Sequence, residues 1–454
     1  MKHIHFIGID GISMSAIATI MLRRGCTVSG SDLKHTALSH KLESEGAKIY
    51  LGHSAENVDG ADLVVYTAAI KPDNCELLRA KQNGTTTLNR ASFLGQLMSE
   101  ARVGIAVAGS HGKTTTAAMI GLMLEYGGLD PTVLIGGELD ALGGNVKIGG
   151  SEYFVAEACE YVETFLSLHP FIGVVLNIDA DHLDYFTDLN HVKSAFQRFV
   201  ELVPPGGSVV AGIDDPNVRS IIGQLNCHVI TFGFSPQANI RAENVIFNAD
   251  GSSAFDLYFH DTWQERLILR VPGRYNISNA LAAIAVGRKL HIPLAVIKKT
   301  FEDFKGTHRR FEYKGTYSGA IIIDDYAHHP TEIVAALSAT KILKKGRLIV
   351  VFQPHTYTRT KALLPDFALA FADADEVIIT DIYAAREKNI YGITSADLTE
   401  AIAQHHQQVI YIPHLNDVAT YLAAHLRAKD MLITMGAGDV HEIGERLVAM
   451  NCEQ

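Results

Sequence analysis

The sequence predicts an α/β protein of three units, each built on a largely parallel sheet. The most informative observation is a buried apolar run, Val103–Ala108, which leads through a glycine-framed turn into a helical pattern. Near the carboxyl end, short apolar runs such as Leu348–Phe352 and Met431–Met435 alternate with helix-length segments, as in consecutive βαβ units. The first hundred residues start with the same order of strand, turn and helix. Because the pattern changes near residues 101 and 311, the predicted units are 1–101, 102–311 and 312–454.

Composition limits the class of protein. A chain of 454 residues exceeds one ordinary domain, and 47% apolar residues can fill several cores. The net charge of −11 argues against nucleic acid or an acidic membrane surface as the main partner. There is neither a membrane-length apolar run nor a signal-peptide pattern, and the scattered cysteines form no CxxC pair. We therefore expect reduced thiols and a cytoplasmic enzyme. The cysteines are Cys26, Cys75, Cys159, Cys227 and Cys452.

The first unit resembles a nucleotide-binding βαβ start. An apolar strand, Ile4–Gly8, is followed by a turn and a helix, Ala16–Arg24, and Asp32 ends the next strand. However, Asp10 and Ser13 occupy positions where the dinucleotide pattern has glycine. The turn could bind a nicotinamide dinucleotide, bind another nucleotide, or be purely structural, and we favour another nucleotide.

The second unit opens with a phosphate-binding turn. Backbone N–H groups in such a turn and the following helix dipole attract anions. Lys113 would reach the β- and γ-phosphates, and the Thr114 hydroxyl would bind Mg²⁺. Val107 occupies a position where the strict motif has glycine, so the match is to the shorter form Gly-x-x-Gly-Lys-Thr-Thr, and a turn that binds nothing is the alternative. The predicted nucleotide-binding residues of the turn are Gly109, Ser110, His111, Gly112, Lys113, Thr114 and Thr115.

Two later strands of this unit end in polar side chains, where parallel sheets bind ligands. Glu157 and Glu160 follow the first of these strands and could form a solvated face, but we favour Glu157 as a Mg²⁺ ligand. His182 follows the second, either as a hydrogen-bonded loop residue or as a metal or phosphate ligand. At the end of the unit, Arg309 and Arg310 either pair with nearby acids or place positive charge on a transferred phosphoryl group.

The third unit carries a candidate amino-acid site. Asp325 and His328 follow its first strand and suit an ammonium group that must lose a proton. A metal site is the weaker alternative, and His328 could instead cap a helix. Arg359, after the second strand, suits bidentate binding of a carboxylate.

Taken together, these motifs resemble the Mur ligase superfamily along the whole chain. Those that carry the resemblance are HFIG, SGSD, GSHGKTTT, EACEY, NIDADH, GRYN, HRRFE, DDYAHHPTE, FQPHTYTR and MGAGD. The resemblance implies a Rossmann-like N-terminal UDP-substrate domain, a central P-loop ATPase domain with a mostly parallel sheet, and a Rossmann-like C-terminal amino-acid domain.

The resemblance also implies an activity. ATP and Mg²⁺ would serve to join L-alanine to UDP-N-acetylmuramate through an acyl phosphate, in peptidoglycan synthesis and hence in cell-wall biogenesis, cell shape and cell division. The enzyme would be a monomer or homodimer. The implied catalytic residues are Lys113, His182, Arg309, Arg310 and His328, and the metal ligands are Thr114, Glu157 and His182. Asn276 and Asp324 would join the P-loop at the nucleotide. The implied substrate-binding residues are Gly11, Ser13, Met14, Ser15, Asp32, His53, Asp325, His328, Arg359 and Tyr383.

Three departures from the family pattern matter. An acid at Asp10 would face the UDP diphosphate, so either it points away or the diphosphate sits differently. Thr356 occupies a position where some relatives have arginine, which leaves more of the carboxylate binding to Arg359. No lysine aligns with the carbamylated lysine of sister ligases, and Lys193 is out of register, so no carbamate is expected.

Other functions remain open at this stage. A recycling ligase would join UDP-N-acetylmuramate to a murein tripeptide, and pocket size would distinguish it. A P-loop sensor would not need an amino-acid site, and a dehydrogenase is disfavoured by the altered glycine turn.

Overall fold

The computed structural model describes residues 2–452, which form three sheets within residues 3–89, 103–269 and 312–435. The predicted α/β class with mostly parallel sheets is confirmed. The unit boundaries near 101 and 311 stay predictions. Within the described residues, no helix is long and apolar enough to cross a membrane. The four cysteines with described side chains are free thiols, whereas the Cys452 side chain and Met1 lie outside the described part.

The N-terminal sheet is fully parallel, with strand order β3-β2-β1-β4-β5. Its strands are β1 His3–Ile7, β2 Thr27–Asp32, β3 Lys48–Leu51, β4 Leu63–Tyr66 and β5 Thr86–Asn89. Its helices are α1 Ile12–Arg23, α2 Ala37–Ser44, α3 Cys75–Gln82 and α4 Arg90–Ser99.

The central sheet has ten strands in the order β15-β14-β13-β12-β11-β10-β6-β9-β7-β8. The strands are β6 Val103–Ala108, β7 Thr132–Leu139, β8 Gly144–Lys147, β9 Tyr153–Glu157, β10 Ile172–Val175, β11 Ser208–Gly212, β12 His228–Gly233, β13 Ile240–Phe247, β14 Ser253–Phe259 and β15 Thr262–Leu269. The helices are α5 Lys113–Tyr126, α6 Leu189–Glu201, α7 Pro216–Ile221, α8 Arg274–Lys289 and α9 Leu294–Asp303. Strands β13 to β15 are antiparallel, as their alternating sequence predicts.

The C-terminal sheet has the order β16-β17-β21-β18-β19-β20. Its strands are β16 Glu312–Tyr317, β17 Ala320–Asp325, β18 Leu348–Phe352, β19 Glu376–Ile379, β20 Val409–Tyr411 and β21 Met431–Met435. Its helices are α10 Pro330–Thr340, α11 Tyr357–Ala362, α12 Leu364–Leu369, α13 Ser395–Ala403, α14 Leu415–His425 and α15 His441–Cys452. The antiparallel edge strand β16 was not predicted from the sequence, because its side chains are mostly half-buried and polar.

Burial of α5 fixes the position of the phosphate-binding turn. Its residues from Thr114 to Leu124 are all buried, and it packs between the central sheet and α8. The N-terminus of α5 therefore lies at the carboxyl edge of the central sheet, where that sheet faces the C-terminal unit.

Candidate active site

The turn between β6 and α5 is held in one conformation. Gly112 has φ = 87°, and a Cβ there would lie 2.4 Å from Asn279 Oδ1, so only glycine fits without a shift. His111 donates its backbone N–H to Asn177 Oδ1 at 2.8 Å, and the Asn177 amide donates to the His111 carbonyl at 3.0 Å. These contacts fix the N–H groups of the turn before any ligand binds.

A cavity of about 510 Å³ lies beside this turn, between the central and C-terminal units. The predicted nucleotide residues His111, Gly112, Thr114, Thr115 and Asn276 all line it. Gly109, Ser110 and Lys113 form the adjoining floor, where the Lys113 ammonium donates to the carbonyls of Gly109 and Ser110. The cavity exceeds the lower limit of about 300 Å³ for small-molecule sites.

Lys113 also forms a buried ion pair with Glu160. Its Nζ lies 2.9 Å from Glu160 Oε2, and Glu160 is only 1% exposed. Burial opposes protonation of Lys113, but the Glu160 charge outweighs it and raises the lysine pKa. His182 Nε2 lies 4.0 Å from Glu160 Oε1, so Glu160 stands between the P-loop lysine and this histidine. Sequence reasoning favoured Glu157 over Glu160, and the signal it missed was the need of a buried lysine for a counter-charge.

Glu157 lies at the end of β9, beside the P-loop strand, with Val107 as its register partner. Its carboxylate accepts the Gly136 N–H at 2.5 Å, and its charge contributes to the raised pKa of Lys113. Thr114, Glu157, Glu160 and His182 are thus the candidate metal ligands. Two carboxylates and a hydroxyl are donors that Mg²⁺ accepts.

His111 connects the P-loop to the C-terminal unit. Its Nε2 lies 3.0 Å from Asp179 Oδ2 and its Nδ1 lies 3.1 Å from Glu332 Oε1 on α10. Burial opposes protonation, but the hydrogen bonds to Asp179 and Glu332 raise the His111 pKa to about 9. Thr331 donates its hydroxyl to the same Asp179 oxygen at 2.7 Å. The imidazolium therefore bridges two units at the wall of the cavity.

A second cavity, of about 340 Å³, is also bounded by the central and C-terminal units. Arg359 lines it, but its guanidinium already binds Asp181, with Nη2 and Nε 2.8 and 3.2 Å from Oδ1. Burial opposes ionisation of Asp181, yet Arg359 holds its pKa well below the usual range. Arg386 lines the same cavity, and within residues 2–452 it has no carboxylate within 4.0 Å. Sequence reasoning missed Arg386, because it lies in a loop without a pattern.

His328 does not have the basicity expected from its sequence position. Burial lowers its pKa to about 3, so it is neutral and a poor proton acceptor near neutral pH. Its Nδ1 lies 2.9 Å from the Tyr326 carbonyl and therefore carries the hydrogen, which leaves Nε2 as an acceptor. The capping role considered for His328 belongs to its neighbour, since the His329 ring accepts the Thr331 N–H at the start of α10.

The two adjacent arginines have different positions. Arg310 lines the large cavity. Arg309 instead donates to Asp324 Oδ2 at 3.1 Å and to the Gly436 carbonyl at 2.8 Å, which is the pairing with a nearby acid that the sequence left open as an alternative. Asp324, which is fully buried, is committed to Arg309 and to the Thr434 hydroxyl rather than to the cavity.

Asp325 lines the nucleotide cavity rather than the second one. It accepts the N–H groups of Ala327 and Phe311 at 2.7 and 2.8 Å, and among the described residues it makes no hydrogen bond to His328. Burial raises its pKa to about 7.

In the N-terminal unit, Asp10 points at α2. Its carboxylate accepts the Thr36 hydroxyl at 2.8 Å and the Thr36 N–H at 3.0 Å, and Asp32 in turn accepts the Asp10 N–H at 3.0 Å. Of the two possibilities, that Asp10 points away or that the diphosphate sits differently, the structure shows the first, because the Asp10 carboxylate is bound to Thr36. The turn keeps Gly11 exposed and Ser13 half-buried at the start of α1.

Four other predicted substrate residues have side chains that are already engaged. Met14 belongs to the core, and the Ser15 hydroxyl donates to the Ile12 carbonyl, so these two can offer only backbone groups. His53 Nδ1 lies 2.7 Å from Glu76 Oε2. Tyr383 stacks on His355, which lines the second cavity, with ring centroids 5.7 Å apart.

Comparison with known proteins agrees with this geometry. Three models match the chain: the Mur ligase family catalytic domain at residues 3–102, the middle domain at 107–287 and the glutamate ligase domain at 309–438. The chain belongs to the Mur ligase family. UDP-N-acetylmuramate–L-alanine ligase of Acetivibrio thermocellus is 53% identical over 98% of this chain and 95% of its own length. The enzyme of that name from Alkaliphilus metalliredigens is 51% identical over 99% and 97%.

Solved structures agree with this assignment. This Mur ligase superimposes on the crystal structure of UDP-N-acetylmuramate-alanine ligase from Thermotoga maritima with a TM-score of 0.84, at 29% identity and full coverage of both chains. A murein peptide ligase from Psychrobacter arcticus gives a TM-score of 0.71 at 25% identity, covering 99% of this chain and 98% of its own.

Proposed function

We propose that this Mur ligase joins L-alanine to UDP-N-acetylmuramate and converts ATP to ADP and phosphate. One observation carries the proposal: the loop from Asn177 to Asp184 lines both cavities. Asn177 and Asp179 face the nucleotide cavity, and Asp181 and His182 face the second one. A phosphoryl group at the P-loop and an amino acid in the second cavity would therefore meet across a single loop.

The residues suit a two-step reaction. The lactyl carboxylate of the UDP substrate attacks the γ-phosphorus to form an acyl phosphate and ADP. The alanine ammonium releases one proton to water, its amine attacks the acyl carbon, and phosphate leaves through a tetrahedral intermediate, taking the second nitrogen proton. Lys113 and Arg310 supply positive charge where negative charge develops on the phosphoryl oxygens. His328 lines neither cavity but packs against His355 of the second one, with ring centroids 5.8 Å apart, so neutral His328 would act by positioning that wall rather than as the base.

Two arginines are available for the alanine carboxylate. Arg359 would exchange part of its contact with Asp181 for the substrate carboxylate. Arg386 would supply a second cation, which Thr356, at a position where some relatives have arginine, does not. A planar guanidinium matches a carboxylate with two hydrogen bonds. The Asp184 carboxylate lines the same cavity and would face the ammonium end.

Mg²⁺ would be held by Thr114, Glu157, Glu160 and His182. The donor set fits the ion for a reason that involves Lys113. When a nucleotide binds, the Lys113 ammonium would turn to the phosphates. The buried Glu160 carboxylate would then need another cation beside it. When bound, the ion would neutralise phosphate charge.

The N-terminal unit would bind the UDP part at the start of α1. The first-turn N–H groups of a helix have no partner within the helix and attract a diphosphate. Gly11 leaves space for it, and the Asp10 charge is committed to Thr36. We place the enzyme in the cytoplasm, consistent with its thiols, as a monomer or homodimer.

Phosphate release tests the assignment. The full-length enzyme is supplied with ATP, Mg²⁺ and UDP-N-acetylmuramate and with, in turn, L-alanine, glycine, L-serine, D-alanine or the murein tripeptide. We expect L-alanine to give the highest kcat/KM, with product mass matching the amide. Faster turnover with the tripeptide would assign the chain to recycling, and release independent of any acceptor would exclude ligation.

A further inference from the structure

Three side chains outside the active site converge on the surface of the N-terminal unit. Glu43 Oε2 lies 3.3 Å from His35 Nε2 and 3.5 Å from His40 Nδ1. The three side chains are 33%, 66% and 38% exposed for His35, His40 and Glu43. Each offers one ligand atom, and these atoms all lie within 4.8 Å of one another.

The spacing matches a tetrahedral metal site. With metal–ligand bonds of about 2.0–2.1 Å, two ligands of a tetrahedral zinc ion lie about 3.4 Å apart. The two separations to Glu43 differ from this by only about 0.1 Å, and the two imidazole nitrogens lie within 4.8 Å of each other, so an ion could bind with rotation of the exposed histidine side chains. Two imidazoles and one carboxylate form a recurrent zinc ligand set that leaves a fourth position for water.

The local backbone supports this convergence. His40 and Glu43 are three residues apart on α2 and therefore share one face of the helix. The helix start is fixed by a reciprocal capping arrangement between Thr36 and Ser39. His35 directly precedes Thr36, and Thr36 also binds Asp10. The contacts of Thr36 therefore hold the backbone at His35 in place.

We propose that His35, His40 and Glu43 bind one Zn²⁺ ion. Imidazole nitrogen favours zinc over Mg²⁺, which prefers six oxygen ligands, so the site would not be filled by the Mg²⁺ of the reaction. It lies on the segment that follows β2 and Asp32, and is thus separate from the phosphate-binding turn in the central unit.

Zinc titration of the full-length protein tests the site. Calorimetry is run with saturating Mg²⁺ and a non-hydrolysable ATP analogue, because His111, Asp179 and His329 form a second group that could bind the ion. That group is unchanged in the variants. We expect wild type to bind one more Zn²⁺ per chain than His40→Asn. In His40→Asn, the affinity of the cluster for Zn²⁺ should fall by about a hundredfold or more. Losing a direct metal ligand costs more than losing a residue that only hydrogen-bonds to a ligand, which costs roughly 10- to 100-fold.

Matched variants decide the outcome. His35→Asn should behave as His40→Asn does, whereas His405→Asn, at an exposed histidine of the C-terminal unit, should bind as wild type. With Co²⁺, wild type should show the strong visible absorption of tetrahedral coordination, and both cluster variants should lack it. Equal stoichiometry and affinity in wild type and the cluster variants would overturn the proposal and leave the cluster as an ion pair of protonated histidines with Glu43.

Discussion

Removing the Arg359 guanidinium tests the alanine site most directly. In Arg359→Ala, the alanine carboxylate loses charge-assisted hydrogen bonds worth about 1.5–3 kcal/mol. At about 1.4 kcal/mol per factor of ten, the KM for alanine should rise about 10- to 150-fold. The KM values for ATP and UDP-N-acetylmuramate should change much less, because Arg359 lines only the second cavity.

The same substitution has a second effect that must be separated from the first. Arg359 and Asp181 are only 10% and 8% exposed, and loss of one partner from a buried pair costs about 3–5 kcal/mol. Asp181→Asn is the matched control, since it removes the acid but leaves the guanidinium available. It should leave the alanine KM unchanged or lower, and the double variant should recover stability without recovering alanine affinity.

Initial rates of phosphate release with each substrate varied in turn supply the three KM values, and thermal unfolding supplies the stability. Arg386→Ala should raise the alanine KM by a smaller factor, because its side chain is exposed. Equal increases in all three KM values for Arg359→Ala would show that the residue serves domain contact, and the assignment to the carboxylate would then be abandoned.

Four further predictions follow from the site. Lys113→Ala should reduce turnover below about a tenth of wild type while binding of UDP-N-acetylmuramate, measured by calorimetry, persists; higher turnover would refute its phosphate role. Glu157→Gln and Glu160→Gln should each raise the Mg²⁺ concentration for half-maximal rate, and an unchanged titration would make that acid structural. His328→Ala should lower kcat. The plot of rate against pH should nevertheless show no inflection near pH 6.5 from this residue in wild type or variant, because burial lowers the His328 pKa to about 3. The His111 pKa is raised to about 9, so its contribution of roughly 3 kcal/mol to stability should be complete below pH 6.5 and lost as pH rises through 9; a His111→Gln variant should lack that loss in thermal unfolding.

Buried parallel strands were the easiest elements to predict. The runs Leu348–Phe352 and Met431–Met435 match β18 and β21 in full, because a strand covered on both faces is apolar throughout. The β7–β8 pair and the edge strand β16 were missed. The residues of β8 and β16 are partly exposed and mostly polar, so neither alternation nor a continuous apolar run marks them, and the short buried run that starts β7 passes into a partly exposed Gly-Gly-Glu.

The site shows the same limit at the level of side chains. The sequence places Arg309 next to Arg310, but it does not specify which of them faces the cavity, nor which of Glu157 and Glu160 pairs with Lys113. Arg309 has φ = 59°, a left-handed conformation that redirects its side chain toward Asp324. The depressed pKa of His328 was equally inaccessible, because it arises from burial by residues distant in sequence.

The bridge from His111 to Glu332 links the arrangement of the domains to the charge of the nucleotide cavity. If α10 moves away, the imidazolium loses one of its two carboxylates and the P-loop becomes more positive toward an incoming triphosphate. When α10 returns, Glu332 brings a negative charge back beside the phosphates. Nucleotide affinity therefore depends on the position of α10. By thermodynamic reciprocity, nucleotide binding shifts the equilibrium between the two positions of α10 by the same factor by which that movement changes the nucleotide affinity.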